Sequence, residues 1–227
     1  MSFRVVIVGT DTDIGKTVFS AALVHALNAA YWKPIQSGLA PETDTEVVAR
    51  LSGADAEHLL PEIYRLVTPA SPHRSAEIDG IEIVPEKLTP PKTERALVIE
   101  AAGGLAVPLR RDLLQIDLLA KWQLPVILCA STRLGTINHS LLSIEALKRR
   151  NVPILGIAFI GDENADSEHT IVSMGGITRL GRLPRIDPLT PLQLHRAFAE
   201  NFSFAQILQL GQLGARATGT PPVRGAP

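Results

Sequence analysis

The chain has 227 residues, a formal net charge of −1, 45% hydrophobic residues and 20% charged residues. That length and balance suit one α/β domain with a sizeable core, and give no electrostatic pull toward nucleic acid or an anionic membrane as a partner. A single cysteine, Cys129, excludes an internal disulfide framework; beside the apolar run Val126-Ile127-Leu128 it reads as a buried thiol rather than a nucleophile.

The first predicted strand covers residues 4–8. Its apolar run is too short for a signal peptide or a membrane span, so the expected compartment is the cytoplasm. A helix is predicted over 15–28, a strand over 31–35 and a helix over 43–51. Residues 52–95 are punctuated by Pro61, Pro69, Pro72, Pro85, Pro90 and Pro91. They read as long loops with short helices, of the kind that walls a substrate site in an α/β enzyme. Strands are then predicted at 97–100, 126–130, 154–160 and 177–183, and helices at 116–122, 136–149 and 192–210. Several of these strands are continuously apolar, as strands covered on both faces are. The alternation predicts a mostly parallel β-sheet flanked by helices on both faces, in a single α/β domain spanning 1–210. Residues 211–227, rich in Gly, Ala and Pro, are expected to be a flexible tail.

The segment between the first strand and the first helix carries the chemistry. Gly9-Thr10-Asp11-Thr12-Asp13-Ile14-Gly15-Lys16-Thr17 precedes the helical pattern starting at Val18. Strand, glycine-flanked loop, Gly-Lys-Thr and helix together make a phosphate-binding loop, and with the alternation above a P-loop NTPase-type fold. Glycine lets backbone N–H groups close around phosphates, and the helix start adds free donors and a partial positive charge. Lys16 is expected to bridge the β- and γ-phosphates and Thr17 to hold Mg²⁺. Five residues separate the two glycines, one more than usual, and the acids Asp11 and Asp13 are unusual beside a polyphosphate.

Other residues gather at predicted strand ends. Glu100 closes an apolar strand and precedes Ala101-Ala102-Gly103-Gly104, where α/β sheets place ligands and where an acid commonly serves Mg²⁺. Lys33 leaves the second strand in Lys33-Pro34-Ile35-Gln36-Ser37-Gly38; it reads equally as a stabiliser of developing charge and as a solvated lysine. Asp44 reads first as the N-cap of the next helix. The start of the helix at Gly135-Thr136-Ile137-Asn138 could receive a carboxylate. His139 reads as a core or capping histidine.

Taken together, these motifs resemble the dethiobiotin synthetase family from residue 3 to about residue 190. The family's loop is also one residue longer than usual. Its Lys-Pro-x-x-Ser-Gly motif is matched at 33–38, its Asp-Thr at Asp44-Thr45 and its Ser-Pro-His at Ser71-Pro72-His73. Its Glu-Gly-Ala-Gly-Gly is matched at 100–104, with Ala101 in place of glycine. Its Leu-Gly-x-hydrophobic-Asn-His is matched at 134–139, and its Gly-x-hydrophobic-Pro at Gly181-Arg182-Leu183-Pro184. Two further departures are a shortened segment before Lys33, and Gly161-Asp162 near the position where the family carries a base-reading Asn-Asp pair.

The resemblance implies a homodimer that uses ATP, Mg²⁺, CO₂ and 7,8-diaminononanoate. It implies Lys33 and Lys16 as catalytic residues, and Thr17, Asp44 and Glu100 as the magnesium ligands. Nucleotide contacts are expected from Asp13, Ile14, Gly15, Lys16, Thr17, Val18, Asp44, Glu100, Gly103, Gly161, Asp162 and Pro184. Substrate contacts are expected from Thr12, Ser37, Gly135, Thr136 and Asn138. A cationic diamine also gives the loop acids a use. The competing readings are a related P-loop amide or cyclo-ligase and a non-biosynthetic P-loop ATPase switch. The first usually carries a glutamine-hydrolysing domain with a reactive cysteine. The second commonly has an extra lysine early in the loop, where this chain has Thr10-Asp11.

Overall fold

The computed structural model describes residues 3–217, with side chains through residue 211. In chain order its elements are β1 (Arg4–Gly9), α1 (Lys16–Leu27), β2 (Ala30–Trp32), β3 (Ile35–Ser37), α2 (Asp44–Ser52), β4 (Leu59–Leu60), β5 (Tyr64–Leu66) and α3 (Pro72–Asp79). There follow β6 (Leu97–Gly104), β7 (Pro108–Arg110), β8 (Leu113–Leu114), α4 (Gln115–Trp122), β9 (Val126–Ser131) and α5 (Thr136–Arg149). The last are β10 (Ile154–Ile160), α6 (Ala165–Gly175), β11 (Arg179–Leu183), α7 (Pro191–Asn201) and α8 (Phe204–Ala217).

The described residues form a seven-stranded sheet in the order β11-β10-β9-β1-β6-β2-β4. Every pairing in it is parallel. This is the expected P-loop α/β architecture. The continuous apolar runs follow from it, because successive strand residues enter two different cores. Val5 and Ile7 pack with Phe19, Val48, Leu194, Phe198 and Ile207, from α1, α2, α7 and α8. Val6 and Val8 pack with Ile116, Leu119, Ile144, Leu147 and Ile171, from α4, α5 and α6. A third cluster (Ile35, Tyr64, Leu66, Ala76, Leu109 and Leu118 among it) supports the proline-rich segment beside the sheet. β1 lies between β9 and β6, where strand order reverses, so the loop after β1 opens into the crevice at the carboxyl ends of the strands.

Four elements differ from expectation. The predicted strand over 31–35 is two strands, because Lys33 and Pro34 leave the ladder. Pro34 has no N–H to offer, and its carbonyl accepts from the N–H groups of Ile63 and Tyr64, sending β3 to pair with β5. The N-cap of α2 is Thr43, not Asp44. Thr43 Oγ1 accepts from the Glu46 N–H at 3.3 Å and Glu46 Oε2 accepts from the Thr43 N–H at 2.7 Å, a complete capping box. The helix predicted over 192–210 is broken at Phe202, which is extended so that its ring stacks on Phe198 at 4.7 Å and meets Phe19 at 5.4 Å. Finally, α8 continues to Ala217, past the expected start of the tail; Ile207 anchors it in the core and Gly211 brings it against the Phe3 ring, where a Cβ would stand 2.3 Å from a ring carbon. The rest of the expected tail, 218–227, lies outside the described residues. Helix α6, capped by the Asn164 side chain on the Ser167 N–H, was not anticipated.

Helices α1, α2 and α7 meet at a histidine pair. The rings of His25 and His195 stack at 3.4 Å. His25 Nδ1 donates to the Ser52 carbonyl and His195 Nε2 to the Leu51 carbonyl, at 3.0 and 2.8 Å, tying both helices to the end of α2. Burial, with the facing His25 ring adding to it, lowers His195 from its ordinary value of 6.5 despite the hydrogen bond to Leu51. A depressed folded-state value means the unfolded chain binds the extra proton first. The contribution is therefore complete above about pH 6.5 and is lost as pH falls through that value toward the folded one. Thermal unfolding should show a melting temperature that drops between about pH 7.5 and 5.5, and His195→Gln should flatten that drop.

Candidate active site

The strand ends and helix starts converge on two adjoining clefts that share Asp13 and Gly15. The first, about 700 Å³, is lined by Thr12, Asp13, Gly15, Lys16, Thr17 and Val18 of the loop and α1. Lys33, Gln36, Ser37, Asp44, Glu100 and Gly103 line it from other elements, as do Pro69 to Pro72 of the proline-rich wall.

Gly15 shows why the loop has glycine where it does. Its φ is 96°, and a Cβ there would meet Ile160 Cγ2 at 2.8 Å. This turn aims the first N–H groups of α1 into the cleft, free for an anion. Lys16 is buried, and its Nζ donates to the Asp11 carbonyl at 3.0 Å. Burial, then the neighbouring Lys33 ammonium, lowers Lys16 below the usual lysine value. Desolvated, positive and short of a counter-charge, it is suited to a phosphate.

At the centre of the first cleft lies a charge cluster in which Lys33 and Glu100 are buried and Asp44 is partly exposed. Lys33 Nζ stands 2.5 Å from Asp44 Oδ2 and 3.1 Å from Glu100 Oε1. The Thr17 hydroxyl faces Glu100 Oε1 at 2.8 Å and Asp44 Oδ1 at 3.0 Å. Tyr31 donates its phenol to the other Glu100 oxygen at 3.0 Å. Burial works against the Lys33 charge, but Glu100 and Asp44 outweigh it and raise Lys33. Burial likewise works against the Asp44 charge, and Lys33 outweighs it and lowers Asp44. Tyr31 is raised well above the usual phenol range by burial and by Glu100, so it stays a donor. Thr17 has one proton for two carboxylate oxygens. The set is therefore rich in hard oxygen ligands clustered within bonding range of one another, and it fits Mg²⁺. Ser37 contributes a buried hydroxyl with no hydrogen-bond partner, on the cleft wall.

The second cleft, about 800 Å³, is lined by Ile14, Thr132, Arg133, Gly161, Asp162, Asn164 and Arg185 to Asp187. Pro184 adjoins this lining in sequence. Of the side chains there, Asn164 is spent on its own fold, accepting from the Ser167 N–H and donating to the Thr132 carbonyl at 3.4 Å. Asp162 pairs with Arg185 at 3.4 Å on the surface. Gly161 presents no side chain, and a Cβ would stand 2.5 Å from Thr132 Oγ1.

The expected residues thus divide. Lys16, Thr17, Lys33, Asp44, Glu100, Ser37, Thr12 and Gly103 are brought together in the first cleft, and Ile14, Gly161 and Asp162 in the second. Gly135, Thr136 and Asn138 are not part of either lining. Gly135 and Asn138 are exposed on one side of the α5 start, and the Thr136 hydroxyl is buried against the Ser131 carbonyl. Of the loop acids, Asp13 lines both clefts, while Asp11 accepts from the Thr12 N–H within its own loop at 2.7 Å. Ala101 fits in β6 with its methyl in the apolar core. The short path into β2 does not cost Lys33 its reach. Sequence reasoning missed Tyr31 and the Thr132, Arg133 and Arg185 wall; Tyr31 two residues before Lys33, on a strand neighbouring Glu100, is a signal visible only once β2 and β6 are known to pair.

A family described as AAA domain matches residues 4–193. The chain is 59% identical to the ATP-dependent dethiobiotin synthetase BioD of Agrobacterium fabrum over 210 residues, covering 92% of this chain and 99% of that one. It is 59% identical to the protein of the same name from Nitrobacter hamburgensis, with the same coverage. Among solved structures it is similar in fold to the cell division ATPase MinD of Pyrococcus furiosus (TM-score 0.55, 15% identity, 96% of this chain and 100% of that one). The septum site-determining protein MinD of Pyrococcus horikoshii, complexed with Mg-ADP, is similar to the same degree (TM-score 0.54, 16% identity, 96% and 98%).

Removing the Tyr31 hydroxyl leaves Glu100 one donor short in a buried setting. Tyr31→Phe should lower unfolding stability by about 1–3 kcal/mol, read as a shift in denaturant midpoint at unchanged slope.

Proposed function

The chain belongs to the ATP-dependent dethiobiotin synthetase family, and we propose that it closes the ureido ring of dethiobiotin from 7,8-diaminononanoate, CO₂ and ATP. The observation that carries this reading is the Lys33–Asp44–Glu100 cluster beside the phosphate loop. It sets Lys33 and three oxygen-donor side chains together in the first cleft, with Lys16 on the same lining. A phosphoryl transfer needs positioning and charge neutralisation there, more than covalent help from the protein.

One substrate amine attacks CO₂ and loses a proton, giving a carbamate. A carbamate oxygen then attacks the γ-phosphorus, and ADP leaves. The second amine attacks the carbamoyl carbon of the mixed anhydride, phosphate leaves with the bonding pair, and the second nitrogen sheds its proton as the ring closes. Lys16 and the α1 N–H groups hold the phosphates. Lys33 neutralises the oxygens that gain charge during transfer. Thr17, Asp44 and Glu100 would hold Mg²⁺, which would supply positive charge to offset that of the phosphates. The Ser37 hydroxyl has its hydrogen-bonding capacity free for the diamine or its carbamate, and Asp13 offers a carboxylate to a cationic amine.

The expected homodimer has support in exposed apolar side chains near α5 and α6: Leu134 is fully exposed, with Leu142 58% and Met174 72% exposed. A partner there would bring the exposed starts of two α5 helices, with Gly135 and Asn138, into use for the substrate carboxylate. The described residues contain no helix long and apolar enough to cross a membrane.

Purified protein given ATP, Mg²⁺, bicarbonate and 7,8-diaminononanoate should form dethiobiotin, with ADP release that depends on the diamine. Diamine-independent hydrolysis would remove the ligase reading. Lys33→Ala should lower turnover by about 10²–10³-fold, the cost of one charge-stabilising donor, while nucleotide affinity changes much less. Equal loss of both would make Lys33 a simple binding residue. In the second cleft, Gly161 supplies no side-chain amide and Asn164 is held by Ser167 and Thr132. ATP, CTP and GTP should therefore support turnover within about tenfold of one another, since a base unread by a side chain forfeits little more than 1.4 kcal/mol of discrimination.

A further inference from the structure

The β4 edge of the sheet carries a group of side chains of metal-ligating type that the reaction does not use. The short helical turn Ala56–His58 connects α2 to β4, and His58 directly precedes Leu59, which pairs with Tyr31 of β2. His58 is 5% exposed, and neither of its ring nitrogens meets a hydrogen-bond partner. A ring nitrogen of His58 and carboxylate oxygens of Asp55 and Glu57 all lie within 4.8 Å of one another. Asp55 stands at the N-cap position of the turn, yet its side chain caps nothing. Glu57 pairs through Oε1 with Arg95 at 3.1 Å, a surface pair that leaves Oε2 available.

We propose that Asp55, Glu57 and His58 form a second metal site, for a borderline divalent ion of the Zn²⁺ type, separate from the Mg²⁺ site of the reaction. A buried imidazole with no partner has given up its bonds to water and gained none, and a metal on its lone pair removes that deficit. The donor set of one nitrogen and two carboxylates suits Zn²⁺, which takes imidazole at about 2.0–2.1 Å and carboxylate at about 2.0–2.2 Å. Mg²⁺ prefers oxygen ligands throughout, so the imidazole selects against it. Bringing three donors from within 4.8 Å to tetrahedral spacing needs about 1–1.5 Å of closure. Asp55 and Glu57 are exposed on a short turn that follows Gly53 at φ 70°, so the movement falls on surface side chains. Three protein ligands leave one position for water. The local charge of two carboxylates against Arg95 is net negative, which favours a dication. A bound ion would tie the turn to the start of edge strand β4, and through β4 to β2, the strand that leads to Lys33.

The test uses the full chain, stripped with a chelator and then held in excess Mg²⁺ so that the oxygen-donor site near Glu100 is occupied. Calorimetric titration with Zn²⁺ should show one ion bound per chain. The double substitution Asp55→Asn and Glu57→Gln, at two exposed positions that leave the fold intact, should weaken that binding by at least about tenfold, the lower end of the loss seen when even an outer-shell partner is removed. Co²⁺ added to the unaltered chain should broaden the ring-proton signals of His58 before those of His25, His195 or His73. Absence of Zn²⁺ uptake, unchanged affinity in the double variant, or first broadening at another histidine would each overturn the proposal.

Discussion

The rest of the active site depends on the contact between Lys33 and the carboxylates of Asp44 and Glu100. Three separate segments deliver these groups: the break after β2, the first residue of α2 and, more than fifty residues on, the middle of β6. Lys33 and Glu100 are buried and Asp44 is partly exposed, so the Lys33–Glu100 pair carries the penalty: removing one partner of a buried pair costs about 3–5 kcal/mol. The cluster therefore works as a positional lock. It is satisfied only when β2 pairs with β6 and α2 docks so that its start, not its side, faces the sheet edge. The Thr43–Glu46 capping box is what allows this. Had Asp44 been the cap, its carboxylate would have been spent on backbone N–H groups and turned from Lys33 and Thr17. By capping one residue earlier, the chain frees Asp44 for the site.

The same cluster shows how a site can be both stable and poised. Against the cost of burial, Glu100 and then Asp44 raise Lys33, and Lys33 in turn lowers Asp44. Lys16, buried and near Lys33 without an ion pair of its own, is lowered instead. The site therefore holds one lysine that is already satisfied and one that gains by meeting a phosphate. The sheet geometry imposes the difference: Lys16 opens α1 beside the loop carbonyl of Asp11, while Lys33 lies where the carboxyl-end residues of β6 and α2 converge. An anion entering the loop relieves Lys16 first, and a cation entering between the carboxylates competes with Lys33. Nucleotide and metal are thus linked through charge before any movement of the backbone.

Much of this was legible in the residues. The period-two burial behind β1, β6, β9 and β10 produces unbroken apolar runs, and such runs predict buried parallel strands without a structure. The phosphate loop was legible because only a strand, a Gly-Lys-Thr and a helix in that order make one. What was not legible depended on tertiary choices. The break at Lys33-Pro34 could be read as a turn, but not the departure of β3 to pair with β5. The interruption of the last helices at Phe202 has no glycine or proline to mark it; the ring's place between Phe19 and Phe198 decides it, which is a matter of packing rather than propensity. Helix α6 escaped notice because its apolar positions are few and its cap, Asn164, lies in a polar run that reads as loop.

Gly161 joins these threads. At the end of β10 it adopts φ 128° and approaches Thr132 so closely that a Cβ would stand 2.5 Å from the hydroxyl oxygen. A side chain there would be strained by the positive φ and would require the Thr132 hydroxyl to turn aside, so glycine suits this position at the end of β10. Asn164 is held in place by capping α6 and by bonding the Thr132 carbonyl, which fixes the direction of its amide. The triphosphate end of the clefts is defined by buried charges and a closed loop, while the far end offers backbone and solvent-exposed pairs such as Asp162–Arg185. Affinity for a nucleotide should therefore reside in its phosphates, with the base contributing stacking and little recognition.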